Sequence, residues 1–416
     1  MGLLPCPLPC RTNDDDSDSH SQSDSNHLHS SDSSASSLSS QPSLPSVPSL
    51  TPPLHLHEPP STAVLCQAST LRGHSSYVLS LALSGKNLYS GSSCGDIRRW
   101  SRDPSPVNSS VPVASACGAA VKSIVVLGNK LFTAHQDHKI RVWKIDNESQ
   151  TAKYDVVATL PTLGDRFAKL FSAGNYVEVR RHKKCTWVHH VDGVSALALS
   201  KDGSLLYSVS WDRTFKVWRT SDFKCLESVW KAHDDAINAV VLSSDGVIFT
   251  GSADKKIKVW KKHEGEKKHR LIATLEKHKS AVNALALSSD GSVLYSGACD
   301  RSIIVWQKDD GAGGEYMTVA GALRGHTKAI LCLAVVDDLV CSGSADKTVR
   351  VWRKGIGMSY SCLAVLEGHR GSVKCLVAAV DSSARDSWSE AGTGYRVYSG
   401  GLDCETKVWQ IWVPFS

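Results

Sequence analysis

Histidine, aspartate and a hydroxyl recur in this chain at matching places, and together they are the parts of a hydrolytic relay. Five sets stand out: His190, Ser208 and Asp212; His233, Thr250 and Asp254; His278, Ser296 and Asp300; His326, Ser342 and Asp346; His369, Ser399 and Asp403. In each set the hydroxyl stands ten residues, and the aspartate six, ahead of a tryptophan: Trp218, Trp260, Trp306, Trp352 and Trp409. Such groups can activate a nucleophile when one copy is held in a cleft. Here the constellation occurs five times intact, and no copy is singled out. The opposite reading fits better: a buried carboxylate needs donors, and imidazole, hydroxyl and indole can each supply one. A repeated structural network is expected, with no catalytic residue.

Two more copies are incomplete. Ser90 and Trp100 keep their spacing behind His74, but Cys94 takes the aspartate's place. Thr133, Asp137 and Trp143 keep theirs, but Cys117 stands where the histidine belongs. These two units are expected to be the weaker ones.

The elements that position these residues are short strands. In 346–352, Val349 and Val351 alternate with Thr348 and Arg350, the period of a strand, and Asp-Lys ahead of them is turn chemistry. ILCLAVV (330–336) and VCSG (340–343) read as two more strands around Asp337-Asp338. Each unit is an antiparallel meander with two rather apolar faces, and it cannot bury both alone. Stacking four-stranded units around an axis gives an all-β propeller.

The in-register copies, the cleanest reading SGSADKTVRVW (342–352) and TGSADKKIKVW (250–260), resemble the WD40-repeat family over roughly residues 63–416. The resemblance implies a seven-bladed WD40 β-propeller in which the five sets and their tryptophans form buried tetrads. It also implies that partners bind the face carrying the aspartate turns. After each tryptophan comes Ser101, Lys144, Arg219, Lys261, Gln307, Arg353 or Gln410 and never Asp, so the W-D-x-R signature of cullin-RING substrate receptors is missing.

Boundaries follow from spacing. After Trp409 seven residues remain, too few for a turn and a full fourth strand, while AVLCQASTLRGH (63–74) resembles CLAVLEGH (362–369). Residues 63–72 are therefore expected to supply the closing strand of the last blade. The 75-residue interval between Trp143 and Trp218 carries an insertion at 161–189, between blades two and three, with strand-like, basic NYVEVRRHKKCTWV. Arg180, Arg181, Lys183 and Lys184 in it are candidate contacts. A second excursion, 381–394, is expected to be a flexible loop within blade seven. Residues 1–62, rich in Ser, Pro and Asp, lack any apolar period and are expected to be a disordered tail. The tail carries one Arg against seven acids, while the whole chain is +6, which leaves +12 on the ring.

No secretory leader or membrane span is expected from the sequence. Thirteen scattered cysteines show no C-x-x-C, which suits a reducing cytoplasm or nucleus. There is no P-loop, dinucleotide fingerprint or zincin motif, so no cofactor, metal or small-molecule substrate is expected. Nucleic acid is disfavoured because no aromatic ladder accompanies the basic residues.

The remaining candidates lie on the expected rim. The residue before each turn aspartate is usually small, but blade three places Trp211 there, a hot-spot type of residue. Tyr77 is a second aromatic candidate. Arg213, Lys255, Arg301 and Lys347, each following a turn aspartate, give a positive rim suited to an acidic peptide. The stretch LPTLGDRFAKLFSAGNYVEVRRHKKCTWVHHVDGVSALA (160–198), on such a ring with a Ser-rich head, resembles plant WD-repeat proteins of the jingubang type. That resemblance implies a regulatory scaffold of cytoplasm and nucleus, linked to pollen germination and tube growth through a transcription-factor partner. The alternative is a reader of acidic or phosphorylated peptides in a chromatin or ubiquitin-ligase complex.

Overall fold

The computed structural model describes residues 47–51, 64–102, 110–114, 118–145, 154–170, 176–180, 183–309, 316–381 and 392–415. Among the described residues the strands form seven four-stranded antiparallel sheets and one two-stranded hairpin. Blade three shows the plan: Val194–Leu199 innermost, then Leu205–Ser210, Phe215–Arg219 and Cys225–Val229 outermost. Blade seven is built from both ends of the ring, since Val64–Leu71 pairs antiparallel with Thr406–Pro414, Ala68 facing Trp409. That pairing leaves no open edge at the joint.

The core lies between blades. Strand alternation sends successive side chains to opposite faces, so one strand feeds two interfaces. In blade five, Leu294 packs with blade four while Val293 and Tyr295 pack with blade six. Each tryptophan seals the joint to the preceding blade: Trp306 sits in the cluster of blades four and five, Trp100 in that of blades seven and one. Burying an apolar side chain of this kind is worth ~1.5–3 kcal/mol, and a single unit has nothing to bury it against.

Every innermost strand bulges at its second residue. Register shifts fall between Val78 and Ser80, Val121 and Ser123, Val194 and Ala196, Ile237 and Ala239, Val282 and Ala284, Ile330 and Cys332, and Val373 and Cys375. A bulge frees one residue from the ladder and re-aims it.

The insertion holds a short helix, Leu163–Leu170, and a hairpin of Tyr176–Arg180 with Lys183–Thr186. The helix is tied down where the backbone N–H of Cys225 donates to buried Asp165 at 3.2 Å. Val188, fully buried, joins the core between blades two and three. In blade seven the second strand, Gly392–Gly401, begins inside the segment expected to be a loop, because Gly392, Thr393 and Gly394 pair with Pro414, Val413 and Trp412. Part of the tail also departs from expectation: Val47–Thr51 lies against blades five and six, with Val47 and Leu50 packed on their clusters. Two apolar side chains three residues apart are too few for a core of their own but enough to use one already built.

Candidate docking face

The five intact sets form one network each, with a polarity that chemistry fixes. An indole N–H only donates and an ionised carboxylate only accepts. In blade six Trp352 donates to Ser342 Oγ at 2.9 Å, the Ser342 hydroxyl donates to His326 Nε2 at 2.8 Å, and His326 Nδ1 donates to Asp346 at 2.8 Å. Asp346 also accepts the backbone N–H groups of Thr327 and Thr348. The same chain runs through Trp218, Ser208, His190 and Asp212 in blade three, and through Trp260, Thr250, His233 and Asp254 in blade four. It recurs through Trp306, Ser296, His278 and Asp300 in blade five, and through Trp409, Ser399, His369 and Asp403 in blade seven. Each hydroxyl is wholly buried and already committed, so no substrate reaches it.

Burial alone would raise these carboxyls, but the histidine bond and the turn N–H groups outweigh it. Asp254 is held at about 2, and Asp212, Asp300, Asp346 and Asp403 lie below the ordinary carboxylate range.

Blades one and two differ. In blade one His74 still accepts from Ser90 at 2.6 Å, yet its Nδ1 meets no partner among the described residues, and Cys94 turns instead to Ser92 at 3.2 Å. Blade two draws a replacement histidine from a place the sequence reading missed. His135, on the second strand, receives Thr133 at 2.7 Å and donates Nδ1 to the carbonyl of Ala119 at 3.2 Å. Asp137 is left to pair with Arg141 at 2.7 Å. The signal was present: the other six units place Ser92, Ser210, Ser252, Ala298, Ser344 or Gly401 in that slot. Cys117 lies outside the described residues. Burial pulls both His74 and His135 down to about 4.

The turn after each aspartate sets the rim. Asp212 Oδ1 accepts the N–H of Thr214, an Asx turn, and corresponding bonds reach Lys256, Ser302, Thr348 and Glu405. This closes the chain into the left-handed region at the residue between: Arg213 at φ 68°, Lys255 at 72°, Arg301 at 68° and Lys347 at 73°. Glycine would be the least strained residue there, and only blade one uses it, at Gly95. All four basic residues are exposed on the same face.

Beside that turn, the residue before the aspartate donates its N–H to the residue before the first strand. Trp211 donates to Gly193, Ala253 to Ala236, Ala345 to Ala329, and Ser93 to Tyr77. Tyr77 and Trp211 thus occupy the two halves of one repeated junction, filled elsewhere by alanine, glycine and other smaller side chains. Tyr77 is half exposed at 50%, and Trp211 is partly covered by Lys122, whose Nζ stands 4.7 Å from its ring centroid.

Lys122 is one of the bulged residues of the inner ring, which sequence reasoning did not single out. In blades three, four and five these positions stitch the ring: Ser195 donates to the carbonyl of Ile237, Asn238 to Val282 and Asn283 to Ile330. Blades one, two, six and seven instead place Leu79, Lys122, Leu331 and Lys374 there, around the central channel. Burial pulls the Lys374 ammonium below its ordinary value. Two cations and two leucines therefore line one side of the channel, next to Tyr77 and Trp211.

Of the insertion's candidates, Arg180, Lys183 and Lys184 stand on the hairpin strands, Arg180 opposite Lys183, and Arg181 lies outside the described residues. Among the described residues no group of three His, Cys, Asp or Glu side chains is placed to hold a metal, and no helix is long and apolar enough to cross a membrane.

The repeat described as "WD domain, G-beta repeat" matches residues 65–101, 182–219, 223–261, 269–307, 317–353 and 360–410, more than half of the chain. The chain belongs to the WD40-repeat family. The matches omit the whole of blade two, the unit that builds its network from His135. This WD40 protein is 25% identical over 146 residues to the Caenorhabditis elegans protein called transcription factor unc-37, across 33% of this chain and 24% of that one. It is 30% identical over 115 residues to the Lissencephaly-1 homolog of Caenorhabditis briggsae, across 26% of this chain and 27% of that one. It thus spans less than a third of either relative. The solved WD40 β-propeller domain of Doa1 superposes with a TM-score of 0.59 at 22% identity, covering 82% of this chain and 95% of that one, a likeness of fold. WD40 propellers typically serve as protein-interaction scaffolds and are usually not catalytic.

Proposed function

We propose that this WD40 protein is a non-catalytic scaffold that docks other proteins on the aspartate-turn face, along the arc from blade seven through blade three. One observation carries the reading: junction and bulge positions that blades four and five fill with small or stitching residues hold Tyr77, Lys122, Trp211 and Lys374 on this arc. Aromatic rings on a rigid frame supply contact area at little entropic cost, and the two ammonium groups favour an anionic side chain on the partner. Arg213 extends that field on the same face.

The finer reading is a plant regulator of pollen germination and tube growth, acting in cytoplasm and nucleus through a transcription-factor partner. It rests on the resemblance of residues 160–198. A second reading, a reader of acidic or phosphorylated peptides in a chromatin or ubiquitin-ligase complex, is favoured by the exposed cations at Arg213, Lys255, Arg301 and Lys347. Titrating salt against partner binding separates the two readings. Aromatic anchoring predicts a shallow dependence; a charge-reading face predicts a steep one.

A further inference from the structure

A five-residue piece of the tail is seated in the outer wall of the ring, and the manner of its seating describes a binding site. Val47–Thr51 runs between the outermost strands of blade five, Met317–Leu323, and blade six, Tyr360–Leu366. The N–H of Ala322 donates to the carbonyl of Pro48 at 2.9 Å, and the N–H of Leu50 returns to the carbonyl of Ala322 at 2.9 Å. Ser49 forms a parallel bridge with Ala322. On the other side the N–H of Tyr360 donates to the carbonyl of Leu50 at 3.2 Å, and Arg324 holds the carbonyl of Val47 at 3.0 Å. The segment is thus added to an exposed strand edge, a recurring mode of peptide recognition in which backbone bonds give affinity and side-chain pockets give choice.

Two features show a cradle built for an occupant. Val47 packs on the core between blades four and five, and Leu50 on the core between blades five and six. Beneath them lies Gly321, where a Cβ would stand 2.5 Å from Leu50 Cγ and 3.0 Å from the Pro48 carbonyl. Gly321 faces Val305 in its sheet; the corresponding residues facing Val142, Val217, Val259 and Val351 are Ala158, Glu227, Ala273 and Ala364. Only blade five, among these, leaves the space open. Proline suits the second position because its missing N–H is not needed there, while its carbonyl is the acceptor for Ala322. The entrance beside Val47 is lined by Lys277, Lys279, Arg301 and Arg324.

We propose that the cleft between blades five and six is a peptide-binding site for an extended Val-Pro-Ser-Leu type segment, occupied in this chain by its own residues 47–51. A partner presenting a segment of the same chemistry binds by displacing the tail. The site is separate from the channel-side arc, so either can fail without the other.

The test uses the full chain. Leu50→Asp removes the apolar anchor and empties the cleft, and a fluorescent peptide of residues 44–54 (LPSVPSLTPPL) is then added in trans. The peptide is expected to bind the Leu50→Asp chain at least tenfold more tightly than the unmodified chain, whose own segment competes. The same peptide with Asp in place of its Leu50 is expected not to bind. Equal binding to the unmodified and Leu50→Asp chains, or none to either, overturns the proposal. Hydrogen exchange reads the site without a second variant: the amides of Ala322 and Tyr360 are expected to exchange at least tenfold faster in the Leu50→Asp chain, blade-two amides being unchanged. Identical exchange at Ala322 in both chains shows that the segment is not seated and also overturns it.

Discussion

Blades three to seven and blades one and two solve the same problem with different parts. The first group closes each unit with an ionised aspartate that holds a histidine, two backbone N–H groups and the turn. Among the described residues the second group has no such carboxylate on its histidine: His74 Nδ1 meets no partner there, and His135 falls back on a carbonyl. The less regular units also belong to the arc where large and charged residues replace small ones. Low-stability regions are where binding surfaces are commonly drawn from. The two irregular blades form the middle of that arc, and blades seven and three, whose networks are intact, flank them.

The comparison can be broken most strongly at the carboxylates. Asp346→Ala strands the Nδ1–H of His326 and two backbone donors, and is expected to cost about 1–3 kcal/mol in urea unfolding. Asp137→Ala removes a partly exposed pair with Arg141 and is expected to cost no more than about 1 kcal/mol. Equal losses would mean that the two kinds of blade do not differ in substance.

Acid sharpens the contrast. His74 and His135 lie at about 4 in the folded chain against an ordinary 6.5. Their neutral forms favour folding, so this stability is complete above 6.5 and drains away as the pH falls toward 4. The tetrad aspartates are depressed from 3.8, Asp254 to about 2, so their contribution persists until lower pH. Burial also lowers His190 and His369, but there the facing Asp212 and Asp403 pull the other way. Hydrogen exchange at pH 7 and pH 5 is expected to show blades one and two losing protection first. Uniform loss around the ring contradicts this.

The smallest effect is a gain. Cys94→Asp offers His74 the missing carboxylate and is expected to stabilise the chain by about 1 kcal/mol, with the His74 pKa rising. A loss of stability would show that the pocket around Cys94 is shaped for sulfur.

Much of this was legible in the sequence because tryptophan, hydroxyl and aspartate keep fixed spacings, and a period is visible without coordinates. The strand pattern and the meander order followed from alternation. What stayed hidden depended on contacts across the chain. His135 does its work from a slot two residues after Thr133, where no spacing rule looks. Lys122 and Lys374 read as ordinary strand residues until the bulges turn them toward the channel. The basic residues after each aspartate looked like a designed rim, and the Asx turn now accounts for their left-handed backbone, though not for their charge. Val47–Thr51 carries too little apolar surface to register as structure until Gly321 supplies the space.

The most direct measurement is proximity labelling with three full-length chains: unmodified, Trp211→Ala and Lys347→Ala. Trp211→Ala is expected to lose partner labelling with its melting temperature unchanged, and Lys347→Ala, outside the docking arc, to retain it. Partners lost from Lys347→Ala but kept by Trp211→Ala would place docking on the wrong side of the ring, and unfolding of Trp211→Ala would make that tryptophan part of the frame.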